Sequence, residues 1–333
     1  MKKFRTLITD RFDLDAFAKL KTDPLLQVDV SAAPRPTREE LAETEILVIR
    51  SRTKIDKDLL ANAPRLKMIV TATSGFDHID LAETSARDLK VMFTPNANAA
   101  SAAELTWALV LACARRVTEA HRAVKAGDWK RESLIGRELS GKSYGVIGLG
   151  RIGSRVARIA LAFGMKVIAF DPYKDDEDFE RVGATRVSLE ELLRLADVVS
   201  VHVPATSETE RMLNAVLLES MNRSAIFVNT SRGSVVTERD LIQALSENWI
   251  AACGLDVFER EPLARDSRLL TFPNVVASPH LGATTAEAFS QASQDAAEKV
   301  RAFAATGSVS DPLPPREPWF VAGFGRRTPS ARD

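Results

Sequence analysis

Cysteine is nearly absent: Cys113 and Cys253 are the only two in 333 residues. Neither stands in a metal-ligand or redox spacing, and two thiols cannot make a disulfide framework. Net charge is absent too. Lysine plus arginine equals aspartate plus glutamate at 45 each, so the chain has no bulk attraction for nucleic acid or an anionic membrane. An anionic substrate must therefore be held by a few placed cations. No apolar run is long enough to span a bilayer. The longest, 102–114, contains Glu104 and Thr106 and reads as a buried helix. Residues 1–10 carry neither an apolar core nor a small-residue cleavage site, so no secretory signal is expected and the expected location is cytoplasmic.

What is present suits two domains, since 333 residues exceed one average core. The apolar content of 45% allows a large interior. In the first third, 4–8, 46–49 and 66–70 read as strands, with helical character over 14–20 and 37–41. That alternation predicts a small parallel α/β unit. Ser101 followed by Glu104 predicts a capping box opening an apolar helix that runs to Arg116.

The middle of the chain has the clearest rhythm. Nearly continuous apolar runs at 144–147, 166–170, 198–203, 225–229, 252–257 and 274–278 suit strands buried on both faces. Helical segments lie between several of them, at 152–163, 189–195, 215–221 and 238–245. This predicts a doubly wound parallel sheet. A long helix is expected over 284–305, packing back on the first domain. The tail from Asp311 holds four prolines before Trp319, then Arg326 and Arg327, and is expected to be irregular.

Gly148, Gly150 and Gly153 form a G-x-G-x-x-G directly after the 144–147 strand. One glycine permits the tight turn, one lets backbone approach a pyrophosphate, and one lets helix and strand pack closely. The following helix N-terminus offers unpaired N–H groups and the positive end of its dipole to phosphates. Asp171 follows the second strand, about twenty residues on, where an acid can accept hydrogen bonds from a ribose hydroxyl and would repel a 2′-phosphate. Pro172 and Tyr173 come next, with no arginine beside the acid, which favours NAD over NADP. Asp171 also suits a helix cap or turn.

In this fold ligands bind outside the carboxyl ends of the strands. Three polar residues follow strand ends: Arg232, Glu261 and His280. Interconverting a 2-hydroxy and a 2-keto acid needs a cation for the carboxylate, ideally a bidentate arginine. It needs a proton acceptor titrating near neutrality, and a carboxylate to orient that acceptor. The trio supplies all three. Taken singly, Arg232 suits a surface turn, His280 a satisfied loop histidine and Glu261 a solvated acid; their shared placement argues for a site. His78, His121 and His202 compete for the base role. His202 lies within V-S-V-H-V-P and reads as a lining or core residue, His121 sits on a charged helix, and His78 suits a turn beside Asp77 and Asp80.

Together these residues resemble the D-isomer-specific 2-hydroxyacid dehydrogenases, from about Ile46 to Ala305. The strings that carry the likeness are I-R-S-R-T at 49–53, S-A-A-E-L at 101–105, G-V-I-G-L-G-R-I-G at 145–153, N-T-S-R-G at 229–233, L-D-V-F-E-R-E-P at 255–262 and S-P-H-L-G-A-T-T at 278–285. The resemblance implies two doubly wound parallel-sheet α/β domains: a Rossmann NAD domain over 99–282, inserted into a flavodoxin-like substrate domain made of 1–98 and 283–310, with 311–333 left as an irregular tail. It implies Arg232 as substrate clamp, His280 as general acid and base, and Glu261 as its partner. NAD would be met by Gly148, Gly150, Arg151, Ile152, Gly153, Asp171, His202, Pro204, Thr230 and Asp256, the last near the nicotinamide. The substrate, a small 2-hydroxy or 2-keto acid, would be met by Arg50, Ser51, Arg52, Ser74, Gly75 and Asn98 besides Arg232 and His280. A homodimer built largely on the nucleotide domains is implied, and no metal. So are ordered binding, NAD first, and closure of the two domains over substrate.

Within the family the likeness is greatest to the catalytic core of the phosphoglycerate dehydrogenase branch, since Arg50, Ser51 and Arg52 suit a phosphate-bearing acid. Two departures stand against it. T-A-T-S-G at 71–75 offers no arginine where some members of that branch have one, and the long C-terminal regulatory domain of many of them is lacking, so feedback through such a domain is not expected. The rivals are a glyoxylate or hydroxypyruvate reductase with the same trio and, from another class, an NAD-sensing corepressor-like binding protein.

Overall fold

A computed structural model describes residues 3–129, 131–315 and 319–320. The chain divides into two compact units: Met1–Asn98 with Ala283–Glu317, and Ala99–Gly282 with Pro318–Asp333.

The first unit is built on five parallel strands, β1 (Phe4–Ile8), β2 (Leu26–Val30), β3 (Ile46–Ile49), β4 (Met68–Thr71) and β5 (Lys90–Phe93), in the order β5-β4-β3-β1-β2. That order is the flavodoxin-like one, with its reversal between β1 and β3. β3 (I-L-V-I) and β4 (M-I-V-T) are buried at every position. Every step but the last of β4, Thr71, is apolar because helices cover both faces. One such cover is the helix Ala286–Thr306, which starts on the Thr285 cap and stops at Gly307 in the left-handed conformation. Its Ala292, Ala296, Ala297 and Val300 pack with Val48, Met68 and Val70. The long helix expected to return to the first domain does so.

Two strands of this unit escaped the sequence reading. β2 (L-Q-V-D-V) is an edge strand with mostly wet positions, and β5 opens on an exposed lysine. The irregular tail needs correcting. Pro312–Leu313 pairs antiparallel with β5, and Leu313 is buried in the core beside Val91 and Phe93. The proline donates no hydrogen bond, which an edge strand tolerates, and the buried leucine anchors the segment. Arg326 and Arg327 lie outside the described residues.

The second unit holds seven parallel strands, β6 (Ser143–Ile147), β7 (Lys166–Phe170), β8 (Thr185–Arg186), β9 (Val198–Val201), β10 (Ile226–Asn229), β11 (Ala252–Leu255) and β12 (Val275–Ala277), ordered β12-β11-β10-β9-β6-β7-β8. This is the Rossmann order with one added strand, and it reverses between β6 and β9. The two-residue β8 was too short to read. Two apolar layers flank the sheet, one around Tyr144, Val146 and Val156, the other around Ile147, Val199 and Phe227.

The capping box expected at Ser101 does not form. The helix runs Ala99–Arg115, so Ser101 lies inside its first turn and its hydroxyl donates to the Gly282 carbonyl at 2.8 Å. The local sequence signal lost to a partner 181 residues away. A capping box does form at Thr37 and Glu40.

Candidate active site

The glycine motif sits at the switch point, between the end of β6 and the helix Arg151–Ala162. Gly148 has φ +91, and a Cβ there would lie 2.8 Å from the His202 carbonyl oxygen. A Cβ on Gly153 would lie 2.0 Å from the Gly148 carbonyl oxygen. Both glycines are therefore required by packing. Gly150 differs: a Cβ there meets nothing within 4 Å. It is the helix cap, with no side-chain hydrogen bond to the first turn, so an approaching anion meets bare backbone and unpaired amides. This cradle fits a dinucleotide pyrophosphate.

Asp171, just past β7, is half-buried and accepts from the Leu149 amide at 2.8 Å and from the Tyr173 amide at 2.9 Å. It thus braces the glycine turn, and each oxygen keeps a lone pair for a ribose hydroxyl. Arg151 is exposed on the first helical turn, and Ile152 beside it packs against the core. The Thr230 hydroxyl meets that of Thr106 at 2.8 Å, and the Pro204 carbonyl accepts from Thr209. His202 follows β9. Its Nε2 meets Ser200 at 2.8 Å, and its Nδ1 is buried without a partner among the described residues. Burial pushes its pKa down to about 3, so the ring stays uncharged near neutrality.

The strand ends beyond β10, β11 and β12 are tied together in a way the sequence only partly disclosed. Buried Asn229 accepts the Ser231 amide and hydroxyl and donates to the Arg232 carbonyl at 2.9 Å, which closes the turn that carries Arg232. Next to it, Gly233 touches the following loop through bare backbone. A Cβ there would lie 1.9 Å from the Phe258 carbonyl carbon and 2.5 Å from the Glu259 amide. Only glycine lets the Arg232 turn meet the loop that leads to Glu261. The T-S-R-G string named Arg232; the role of its glycine depends on a neighbour 25 residues away and was not readable.

Asp256, expected near the nicotinamide, is wholly buried. Its Oδ1 accepts the Ser278 hydroxyl at 2.6 Å and the Leu281 amide at 2.7 Å, and its Oδ2 accepts the Gly282 amide at 2.9 Å. The His280 amide donates to the Asp256 carbonyl at 2.9 Å. Asp256 thus fixes the loop that presents His280. That loop holds His280 at φ +56, a conformation few residues other than glycine and asparagine accept without cost.

His280 Nδ1 lies 2.7 Å from Glu261 Oε2, and Glu261 Oε1 accepts the Phe258 amide at 3.1 Å. The hydrogen bond to Glu261 raises the His280 pKa above its ordinary value, against opposition from burial and from the positive charge of Arg232. For Glu261 burial pulls upward, but His280, the Phe258 amide and Arg232 together hold the carboxyl below its usual range. The Arg232 guanidinium donates to the Ser231 carbonyl at 2.7 Å, and its charge acts on both partners of the pair. His280, Glu261 and Arg232 are thus brought together. His121 lies on an exposed helix and His78 belongs to the first unit.

In the first unit, Arg50, Ser51 and Arg52 follow β3, at the reversal of strand order. Arg50 lies over the Phe289 ring at 4.8 Å, burial lowers its pKa, and its Nη1 is buried without a partner among the described residues. Arg52 is exposed and lies 3.7 Å from Asp10, whose side chain is buried at the end of β1. Ser74 and Gly75 follow β4, and Asn98 closes the first run of the unit.

Residues 107–282 match the model of the D-isomer specific 2-hydroxyacid dehydrogenase NAD binding domain. The chain is 39% identical over 298 residues to the D-3-phosphoglycerate dehydrogenase of Methanocaldococcus jannaschii, covering 89% of this chain and 57% of that protein. It therefore spans little more than half the length of that relative. It is also 39% identical over 303 residues to the hydroxypyruvate reductase of Thermotoga maritima, covering 90% of this chain and 98% of that one. Among solved structures it resembles D-lactate dehydrogenase from Aquifex aeolicus complexed with NAD and lactic acid, with TM-score 0.80, 32% identity and coverage of 90% and 95%. On these matches the chain belongs to the D-isomer-specific 2-hydroxyacid dehydrogenase family.

Proposed function

We propose that this chain interconverts a D-2-hydroxy acid and its 2-keto acid with NAD. His280 serves as acid and base, Glu261 as its partner and Arg232 as the carboxylate clamp. The observation that carries this is the 2.7 Å His280–Glu261 pair under the charge of Arg232, assembled from three separate strand ends. When bound, NAD accepts or returns the hydride at C2. The planar fork of Arg232 suits a carboxylate. With Nδ1 committed to Glu261, Nε2 is the ring nitrogen that meets the substrate oxygen. In oxidation it takes the hydroxyl proton, and Glu261 stabilises the imidazolium. In reduction the imidazolium gives that proton to the carbonyl oxygen.

This fixes the pH dependence. Reduction requires the imidazolium, so it persists below the raised pKa of His280 and is lost as pH rises through it. Oxidation requires the neutral ring and gains over the same range. Glu261→Gln removes the largest raising influence and leaves burial and Arg232, which lower the pKa, opposed by the smaller raising influence of the Asp256 charge. The alkaline limb of reduction then moves to lower pH, and the rate at pH 8 falls by about tenfold or more. Initial rates of keto-acid reduction from pH 5 to 9 check this; a parental profile in the variant would remove Glu261 from the proton path.

For the substrate, the finer reading is 3-phosphoglycerate and 3-phosphohydroxypyruvate. It is supported by the buried Nη1 of Arg50, without a partner among the described residues, next to Ser51 and Arg52 in the chain, donors that a phosphate would accept from. The second reading, a glyoxylate or hydroxypyruvate reductase, is favoured by the Asp10 carboxylate beside Arg52, which cancels part of the positive charge. A full-length match to a hydroxypyruvate reductase favours it too. A panel of 2-keto acids followed by NADH absorbance separates them. The first reading expects kcat/KM for phosphohydroxypyruvate to exceed that for hydroxypyruvate by about tenfold or more; equal or inverted values favour the second.

A second copy of the chain is the proposed partner. The helix Val117–Lys125 has no buried residue, and Val117, Val124, Trp129 and Ile135 are 52%, 54%, 76% and 78% exposed. So much apolar surface in one short segment suits a homodimer contact on the nucleotide-binding unit.

A further inference from the structure

We infer that Thr73, backed by Thr71 and His78, is a positioning residue for the substrate carboxylate on the first unit. Three side chains at the end of β4 form a chain of hydrogen bonds. Thr73 Oγ1 donates to the Gly75 carbonyl at 2.7 Å. Thr71 Oγ1 lies 2.6 Å from Thr73 Oγ1, and His78 Nε2 lies 3.0 Å from Thr71 Oγ1. A hydroxyl has one proton. That of Thr73 is spent on Gly75, so Thr71 must donate to Thr73. The Thr71 proton is then spent as well, and His78 must donate to Thr71 through Nε2–H. The direction of the whole relay, and the position of the His78 proton, follow from its last link.

The relay is anchored at both ends. The His78 carbonyl accepts from the Ile55 amide at 2.8 Å, and the Thr73 carbonyl accepts from the Thr94 amide at 3.1 Å. Thr71 is fully buried, so its hydroxyl has no water to fall back on, and an interrupted relay leaves a buried polar group unsatisfied. What the relay holds is the Ser74–Gly75 turn. Among the described residues neither the Ser74 nor the Gly75 amide donates to a protein acceptor. Two consecutive amides without a protein acceptor offer two donors to an anion, and bonds aligned head to tail stiffen one another. This chain, which has threonines rather than a cation at 71 and 73, uses hydroxyl geometry to set these two amides.

This inference rests on the reading of the protein as a 2-keto acid reductase. In the full-length protein with NADH, Thr73→Val raises KM for the keto acid and Kd for the carboxylate probe oxamate by about tenfold. It leaves kcat and KM for NADH within about twofold. Thr73→Ser, which keeps the oxygen, restores the parental values. Parental KM and oxamate affinity in Thr73→Val, or an equal loss in Thr73→Ser, would overturn the inference. Nitrogen-15 spectra of the His78 ring give an independent readout, with the proton expected on Nε2 at neutral pH; a proton on Nδ1 alone would also overturn it. A parent protein that reduces no 2-keto acid would instead sink the functional reading, and the His78 tautomer would still decide whether the relay exists.

Discussion

Replacing His280 by alanine lowers kcat/KM for keto-acid reduction by about 10³-fold, within the range a positioned acid–base group supplies, while NADH binds as before. The two effects separate because the imidazole belongs to the Glu261 pair, whereas the pyrophosphate cradle is the backbone of the 148–153 turn. His280 also sits at φ +56, so alanine adds a backbone cost. His280→Asn removes the acid–base group but accepts that conformation, and it should lose turnover equally while keeping more stability. Stopped-flow turnover with fluorescence titration of NADH checks both variants. Turnover near the parental rate in either would take His280 out of the chemistry.

The second large effect is expected at a residue with no side chain. In Gly233→Ala the new Cβ would stand 1.9 Å from the Phe258 carbonyl carbon. Backbone opposes it, not a movable side-chain tip, so the Arg232 turn and the Glu261 loop must part. Overpacking of this kind typically costs about 1–3 kcal/mol and sometimes more, which corresponds to a fall of several degrees in Tm. Displacing Arg232 or Glu261 by about 1 Å should cost a further 10²-fold in kcat/KM. Calorimetry and steady-state kinetics on the same preparation read both. A variant with parental Tm and parental activity would show that the two loops do not bear on each other.

Much of the fold was legible because parallel strands buried on both faces announce themselves. I-L-V-I at β3 and V-V-S-V at β9 leave little else for those residues to be. The edges were harder. β2 mixes Gln27 and Asp29 with its apolar residues, β8 has two residues, and the 312–313 segment is a proline followed by one buried leucine. Edge strands need only one buried face, or none, so the apolar signal fades there. Ser101 shows a different limit. Its local pattern promised a cap, and the Gly282 carbonyl, remote in sequence, claimed the hydroxyl instead.

The site divides in the same way. Arg232, Glu261, His280 and the glycine motif were readable because the chemistry asks for those residue types at strand ends. The residues that hold them were not. Asn229, Asp256 and Gly233 act by accepting from, donating to, or making room for backbone of other loops. Asp256 was expected near the nicotinamide, but its hold on the His280 loop depends on Ser278, Leu281 and Gly282, more than twenty residues on. The Thr71–Thr73–His78 relay was hidden for the same reason, since it exists only once β4 and the turn after it are folded.

The most direct test follows a labelled hydride. With 2-keto acid and NADH carrying deuterium at both C4 positions, the product should be the D-2-hydroxy acid with one deuterium on C2, as read by mass spectrometry and chiral chromatography. An unlabelled product, an L-configured one, or no reduction of any 2-keto acid would contradict the assignment.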